Sequence, residues 1–151
     1  MDRSLESLSS QFRPLVVEVL ARLVERGIAV MIIQTSRTEA EHQQNLASGA
    51  SKTAKTRHFP RSLRGLGTGG PDDTKCDAID LCPYSVYQLA GPDKLHWATT
   101  DTPEAKVAWA AIGEEGEKLG LRWGGRWRDP SDPGHLELIL TTAFSEGARP
   151  L

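Results

Sequence analysis

The stretch Asp132-Pro133-Gly134-His135-Leu136-Glu137 lies near the carboxyl end of the 151-residue chain and contains its last histidine. From His135 to Leu140 the residues have the β-propensity of a strand. Because side chains alternate between the two faces of a strand, His135 and Glu137 would share one face and Leu136 would lie on the other. The stretch therefore predicts a strand with a polar face and an apolar face, preceded by a turn that contains Asp132.

A second strand of the same kind is predicted upstream, from Cys76 to Leu81, with Pro83 ending it. Alternation places Asp80 on one face of this strand and the apolar Ile79 and Leu81 on the other. If the two strands belong to one sheet, Asp80 and His135 can meet over the same face, with apolar residues behind them.

Two histidines and one carboxylate are sufficient for a three-ligand zinc site with one coordination position left for water. The chain has only four histidines, and we take His58, Asp80 and His135 as the candidate ligands. Asp132, three residues before His135, is a candidate for the base that deprotonates such a water. Asp132 has an alternative use as a turn residue before Pro133, and an Asp-x-x-His pattern alone is weakly specific.

The helices are predicted from apolar periodicity and capping signals. Apolar residues from Leu5 to Val24 recur at three- and four-residue steps, which indicates an amphipathic helix that Gly27 stops. A further helix is expected to run to about Ser48, opened by a capping box of Ser36 with Glu39 or of Thr38 with Glu41. The last helix is expected from Thr102 to Leu119.

The remaining segments complete a single domain over residues 1–151. Residues Ala29–Ile33 are a continuous apolar run, interpreted as a strand covered on both faces. Residues from about 50 to 75 are rich in glycine and basic side chains, and we expect a long loop whose charges face solvent. Residues from about 143 to 151 are expected to form a loosely held tail.

Composition excludes several classes of protein. The formal net charge is −2, so nothing global favours nucleic acid, and the basic stretch from Lys52 to Arg64 lacks the interleaved aromatic residues of a nucleic-acid site. Cys76 and Cys82 are expected to be buried free thiols. The amino-terminal residues show no signal pattern and no apolar run has the length of a membrane span, so we expect synthesis in the cytoplasm. We expect a monomer.

Several motifs together resemble a known family, and they span roughly residues 8 to 140. They are Arg37-Thr38 with Glu41 on the following helix, Thr56-Arg57-His58, Ala78-Ile79-Asp80, Trp123-Gly-Gly-Arg-Trp127 and Asp132-Pro-Gly-His135-Leu-Glu137. This set is similar to the zinc peptidases that include VanY-like D-alanyl-D-alanine carboxypeptidases and the L-alanyl-D-glutamate endopeptidases of phage endolysins. The resemblance implies an α+β fold, Hedgehog/D-Ala-D-Ala-peptidase-like, with an antiparallel sheet that carries one zinc ion.

The resemblance also implies roles for individual residues. His58, Asp80 and His135 would be the zinc ligands, Asp132 the catalytic base, and Arg37 the group that holds the substrate carbonyl or its oxyanion. Further residues are expected to support a ligand or the substrate, or only to pack: Glu137, Trp127, Glu41 and Trp123. Arg37 has the alternative of pairing with Glu41, and no role is assigned to His42 or His96.

The family pattern Ser-x-His-x-x-Gly-x-Ala-x-Asp is longer here, because the interval from His58 to Asp80 is 22 residues. We interpret residues 59–79 as an insertion between ligands that still converge, since extra loop length costs little entropy. Asp72, Asp73 and Asp77 remain alternatives to Asp80 at this point. The function implied is hydrolysis of a peptidoglycan stem peptide, with the L-alanyl–D-glutamate bond as the expected target. A carboxypeptidase or a non-catalytic wall-binding module on the same fold are the alternatives.

Overall fold

The computed structural model describes residues 1–51, 56–84, 102–128 and 131–140. Within these ranges the chain forms three α-helices and a four-stranded antiparallel sheet, which confirms the expected α+β class. The helices are α1 (Phe12–Glu25), α2 (Glu39–Ser48) and α3 (Pro103–Lys118). The strands are β1 (Val30–Gln34), β2 (Ala78–Pro83), β3 (Arg122–Trp123) and β4 (His135–Glu137). None of the helices in these ranges is long and apolar enough to cross a membrane.

The strand order is β1-β2-β4-β3, and every neighbouring pair is antiparallel. β2 and β4 form the centre, with Ile79 opposite Leu136 and Asp80 opposite His135. β1 is an edge strand in the described chain, and its first three residues are only partly buried. The expectation of a strand covered on both faces is therefore not met along Val30–Ile32, which pack against the core but stay partly exposed among the described residues.

The core lies between one face of the sheet and helices α1 and α3. Helix α1 buries a stripe of Phe12, Val16, Val19 and Leu23, at the spacing that a helix needs to keep one face inward. The sheet supplies Ile79, Leu81 and Leu136, all completely buried. The same strands carry Asp80 and His135 at the alternate positions, so core packing on one face fixes the polar groups on the other.

The first helix begins seven residues later than the periodicity suggests. Leu5–Ser7 form a 3-10 turn capped by Ser4, and α1 starts only at Phe12. Between them Leu8 forms an isolated bridge to Cys76, in which the Ser9 amide donates to the Cys76 carbonyl at 2.9 Å. The backbone of Leu8 and Ser9 therefore bonds to a residue that is distant in the sequence. The spacing of nearby apolar residues cannot predict such a contact.

The other element boundaries shift by a few residues. α2 opens with the Thr38–Glu41 capping box, one of the two expected, and ends at Gly49 in the left-handed conformation. β2 begins at Ala78 and includes Pro83, which pairs with Val30 in the last position of the strand. β4 ends at Glu137, three residues before the expected Leu140. Trp123 and Trp127 flank a 3-10 turn at Gly124–Arg126.

The segment between His58 and β2 is more ordered than a solvated loop. It contains 3-10 turns at Arg61–Arg64 and Pro71–Thr74. Arg64 is buried, with its guanidinium 2.8 Å from the fully buried Asp77 carboxylate, and Arg61 pairs with the same carboxylate at 2.9 Å. The expectation that the basic side chains face solvent is wrong for these residues, because Asp77 supplies a buried counter-charge. Lys52, Lys55, His96 and the tail from 143 lie outside the described residues.

Candidate metal centre

His58, Asp80 and His135 converge into one cluster, with one potential ligand atom from each lying within 4.8 Å of the others. Asp80 and His135 come together because they are directly opposed on β2 and β4. His58 precedes the 3-10 turns, and its carbonyl accepts the Arg37 amide at 2.9 Å. The cluster is the one group of this kind within the part of the chain that the structure describes.

The Asp80 carboxylate is the centre of the cluster. Its Oδ1 lies 3.2 Å from His58 Nε2 and 3.0 Å from His135 Nδ1. The two imidazole rings meet edge to face, with centroids 5.2 Å apart. Both histidines are nearly completely buried, whereas the Asp80 side chain is 19% exposed. One side of the cluster is therefore open to solvent at the carboxylate.

The ring of His58 is oriented by a backbone carbonyl. His58 Nδ1 lies 2.6 Å from the Thr35 oxygen, which can only accept, so Nδ1 carries the hydrogen. Nε2 is then the nitrogen with the lone pair in the neutral ring. It is buried, and it makes no hydrogen bond with the geometry required, although Asp80 is close. A buried ring nitrogen whose lone pair makes no such hydrogen bond is suited to bind a metal ion.

The ring of His135 is oriented in the same manner by a carboxylate. Its Nε2 lies 2.8 Å from Glu137 Oε1, and this leaves Nδ1 on the side of Asp80. Glu137 is completely buried, and its Oε2 forms an ion pair with Arg57 Nη1 at 2.6 Å. Arg122 from β3 lies 3.7 Å from the same oxygen. Both histidines thus donate outward and present their other nitrogen inward.

The electrostatics agree with a cation site. Burial alone would raise the pKa of Asp80, but the two histidines outweigh it and lower the pKa well below its usual range. Burial alone would lower the pKa of His135, but its contacts with Asp80 and Glu137 raise it to about 10. The carboxylates of Asp80 and Glu137 therefore favour a positive charge at the position between them. Two imidazole nitrogens and one carboxylate oxygen fit a metal ion that accepts mixed nitrogen and oxygen ligands.

Asp132 lies in the turn that leads into β4, beside the cluster. Its carbonyl accepts the His135 amide at 3.1 Å and its amide donates to Gly124 at 2.9 Å. This turn requires glycine at position 124, since a Cβ there would lie 2.4 Å from the Asp132 carbonyl oxygen. Burial and the charge of Asp80 raise the pKa of Asp132, against the opposing charges of His135, His58 and Arg37. A carboxyl with a raised pKa exchanges protons more readily near neutral pH.

Arg37 lies at the open side of the cluster and is held on three sides. Its Nη2 is 3.7 Å from Asp80 Oδ2, its Nε donates to Gln34 Oε1 at 3.0 Å, and its Nη1 is 3.3 Å from His42 Nδ1. The alternative of an Arg37–Glu41 pair does not occur. Glu41 completes the helix cap and accepts from Gln34 at 3.0 Å, so it reaches Arg37 only through Gln34.

The two tryptophans of the turn differ in position. The Trp127 ring is tilted against His135, with centroids 4.9 Å apart, and it is partly exposed. Trp123 donates from Nε1 to the Pro133 carbonyl at 2.8 Å and packs against the core. Trp127 is therefore the one of this pair that borders the cluster.

The alternative carboxylates have other partners. Asp77 pairs with Arg61 and Arg64 and accepts from the Ser9 hydroxyl at 2.5 Å. Asp72 accepts from the amide and hydroxyl of Ser10, and Asp73 accepts from the amides of Thr68 and Gly69. Each therefore stabilises the segment between His58 and β2 or its contact with the amino-terminal residues. Asp80 is the carboxylate that the fold brings to the histidines.

The structure also brings residues to the site to which sequence reasoning assigned no role. Thr35 orients His58, Arg57 pairs with Glu137, and the buried His42 contacts Arg37 and the edge of Phe59. The Thr35 and Arg57 contacts join positions that are distant in the chain. The local signal for Arg57 is its position next to the candidate ligand His58.

Comparisons with known proteins find similarity to one family model and to one solved structure. Residues 76–138 match the family model described as D-alanyl-D-alanine carboxypeptidase. The matched segment contains Asp80, Asp132 and His135 and begins after His58, as expected if the segment following His58 interrupts the family pattern.

The fold is similar to that of the crystal structure of the Serratia marcescens L-Ala D-Glu endopeptidase ChiX, with a TM-score of 0.53. The two sequences are 19% identical, and the alignment covers 89% of this chain and 82% of that one. Together with the His58–Asp80–His135 cluster, the two matches confirm the chain's resemblance to the VanY-like zinc peptidase family.

Proposed function

We propose that this protein is a zinc-dependent peptidoglycan peptidase of the endolysin type, which hydrolyses the L-alanyl–D-glutamate bond of the stem peptide. The observation that carries the proposal is the His58–Asp80–His135 cluster with Asp132 beside it. The similarity in fold to an L-Ala D-Glu endopeptidase supports the choice of bond.

The ligands would be His58 through Nε2, His135 through Nδ1 and Asp80 through its carboxylate. The orientation of both rings supports this set, because Thr35 and Glu137 occupy the other nitrogens. Zinc favours such mixed nitrogen and oxygen sites, and with three protein ligands it keeps a position for water. When bound, zinc activates water as a nucleophile at neutral pH and polarises a carbonyl group.

Asp132 would act as the general base. Its carboxylate would accept a proton from the attacking water and would then deliver a proton to the nitrogen of the departing amine. The raised pKa supports this use, since a carboxyl that is too acidic would hold a proton too weakly to return it. The main-chain hydrogen bonds to Gly124 and His135 hold the turn in place.

Arg37 would stabilise the negative charge that develops on the carbonyl oxygen of the scissile bond. Gln34, His42 and Asp80 hold its guanidinium at the exposed side of the cluster, and little reorganisation would be needed during the reaction. Trp127, partly exposed beside His135, would border the substrate groove. Glu41 would act indirectly, by orienting Gln34.

The partner would be bacterial peptidoglycan, and the protein would act as a monomer without nucleic acid. As a bacteriophage endolysin it would be made in the cytoplasm and would act on the wall when it is released at lysis.

Product analysis of digested peptidoglycan tests the proposal. Cleavage of the L-alanyl–D-glutamate bond creates peptides with an amino-terminal D-glutamate and leaves L-alanine on the glycan. Zinc-loaded protein should produce these peptides, and the Asp132→Asn variant should bind zinc but produce few of them. Digests with neither new amino groups nor free amino acids would contradict the assignment as an enzyme and favour a wall-binding module with a degenerate site.

A D-alanyl-D-alanine carboxypeptidase is the second candidate, and the description of the matched family model favours it. The same digest distinguishes the two, since a carboxypeptidase releases free D-alanine and creates no amino-terminal D-glutamate.

A further inference from the structure

We propose that Arg57 is a positioning residue for the metal centre, which acts on His135 through Glu137 and joins the three ligand-bearing segments. The inference rests on the proposed function, because it assigns a residue that sets the affinity of that site. Arg57 itself does not belong to the ligand cluster, and its effect would pass through other side chains.

The side chain of Arg57 forms a buried ion pair with Glu137. Nη1 of Arg57 lies 2.6 Å from Glu137 Oε2, and the two side chains are 9% and 0% exposed. Glu137 Oε1 in turn lies 2.8 Å from His135 Nε2. The guanidinium therefore compensates the buried charge of Glu137 and fixes its orientation, while the other carboxylate oxygen fixes the ring of His135.

The main chain of Arg57 connects to the remaining ligands. Arg57 is covalently adjacent to His58, and its carbonyl accepts the Asp77 amide at 3.0 Å, three residues before Asp80. The Asp77 carbonyl accepts the Leu138 amide at 2.9 Å, just beyond Glu137 on β4. Arg57 thus contacts the residue that precedes β2 through its backbone and β4 through its side chain. This arrangement explains how His58 reaches the cluster although 22 residues separate it from Asp80.

Glu137 has a second cation nearby, but at a longer distance than Arg57. Nη1 of Arg122 on β3 lies 3.7 Å from Glu137 Oε2, compared with 2.6 Å for Nη1 of Arg57. Without Arg57, Glu137 would lose the nearer of these two counter-charges.

The test measures metal affinity rather than activity. Zinc affinity by competition with a chelator, and the visible spectrum of the cobalt-substituted protein, are compared for wild type, Arg57→Met and Arg57→Lys. Arg64→Met is the matched control, since Arg64 is also buried in an ion pair, at 2.8 Å, but with Asp77. We expect Arg57→Met to bind zinc about 10- to 100-fold more weakly and to change the cobalt spectrum. Arg57→Lys should recover most of the affinity, and Arg64→Met should match wild type in both measurements.

Glu137 provides the second test, which also applies if Arg57→Met alone does not fold. The double variant Arg57→Met with Glu137→Gln removes the buried carboxylate charge together with its partner. Because Arg57 acts through Glu137, the double variant should bind zinc as weakly as Glu137→Gln alone. Wild-type affinity in folded Arg57→Met, or losses that simply add in the double variant, would overturn the inference. Wild-type protein that binds no zinc would instead overturn the proposed function.

Discussion

Asp80 and His135 occupy directly opposed positions on neighbouring antiparallel strands, and Asp80 Oδ1 lies 3.0 Å from His135 Nδ1. The register that creates this contact is fixed by Ile79 and Leu136, the buried pair adjacent to them. A slip of one residue would move the apolar residues out of the core and the ligands into it. The metal centre therefore depends on the packing behind the sheet.

Metal binding should depend strongly on pH. The pKa of His135 in the metal-free protein is raised to about 10, so at neutral pH a metal ion must displace a proton from the cluster. Apparent zinc affinity should therefore rise by about tenfold per pH unit between pH 6 and pH 9, as expected when one proton is released. Isothermal titration in buffers of different ionisation enthalpy measures the proton release. Affinity that does not change with pH would contradict the assignment of His135 as a ligand.

Asp132→Asn should lose hydrolysis while it keeps the metal. A general base contributes on the order of 100- to 10,000-fold in rate, and the amide cannot accept the proton. We expect a decrease in kcat of that size with unchanged zinc content. Ser131→Ala is the control in the same turn, because the Ser131 hydroxyl is exposed and donates to the Gly125 carbonyl at 3.3 Å, away from the cluster. A variant that loses zinc together with activity would instead give Asp132 a structural role in the site.

Arg37 can act on the substrate or on Asp80, and substitution separates the two roles. If Arg37 stabilises the oxyanion, Arg37→Met should lower kcat by about 100- to 1,000-fold at saturating zinc. If its main role is to orient Asp80, the variant should bind zinc more weakly and recover its activity when zinc is added. We expect the first result. Steady-state kinetics over a range of zinc concentrations distinguishes them.

The ion network around Asp77 should stabilise the fold without affecting the chemistry. Asp77 is completely buried between Arg61 and Arg64, and Asp77→Asn leaves their charges without the carboxylate. Loss of one partner of a buried pair typically costs about 3 to 5 kcal/mol in the free energy of unfolding. Glu18→Gln is the control, since the Glu18–Arg22 pair is exposed and should cost less than about 1 kcal/mol.

The pH dependence of this stability has a definite sign. Burial alone would raise the pKa of Asp77, but the hydrogen bonds from Arg61 and Ser9 and the charge of Arg64 outweigh it, and the pKa is lowered. A carboxyl with a lowered pKa in the folded state contributes stability above its unfolded value, about pH 4, and loses it as the pH falls further. The difference between wild type and Asp77→Asn in urea denaturation should therefore be full at pH 7 and should shrink below pH 4. A difference that stays constant down to pH 2 would contradict the role of the ionised carboxylate.

Sequence patterns were sufficient to predict the centre of the site, because the positions of Asp80 and His135 follow from the alternation of side chains along two strands. Alternation along two short strands placed Asp80 and His135 on one face with Leu136 behind them, and the structure has this arrangement. The Thr38–Glu41 capping box followed from local spacing in the same way. Where one face of a strand must be buried, the identities of its residues determine the other face.

The remaining features depend on contacts between distant parts of the chain. Arg57 and Arg64 have the sequence context of a solvated basic loop, yet they are buried because Glu137 and Asp77 approach them. The late start of α1 reflects the bridge between Leu8 and Cys76, which are far apart in sequence. Hydrophobic periodicity indicates which face of an element is buried. It does not identify the distant residue that hydrogen-bonds to a given backbone group or forms an ion pair with a given charged side chain.

The ligand set is best tested by the zinc content of the purified protein, measured by elemental analysis on wild type and Asp80→Ala. We expect about one zinc ion per wild-type chain and none above background in Asp80→Ala, with both proteins folded by circular dichroism. Wild-type protein that contains no zinc and takes up none when zinc is added would contradict it. Full zinc content in Asp80→Ala would equally contradict the ligand set.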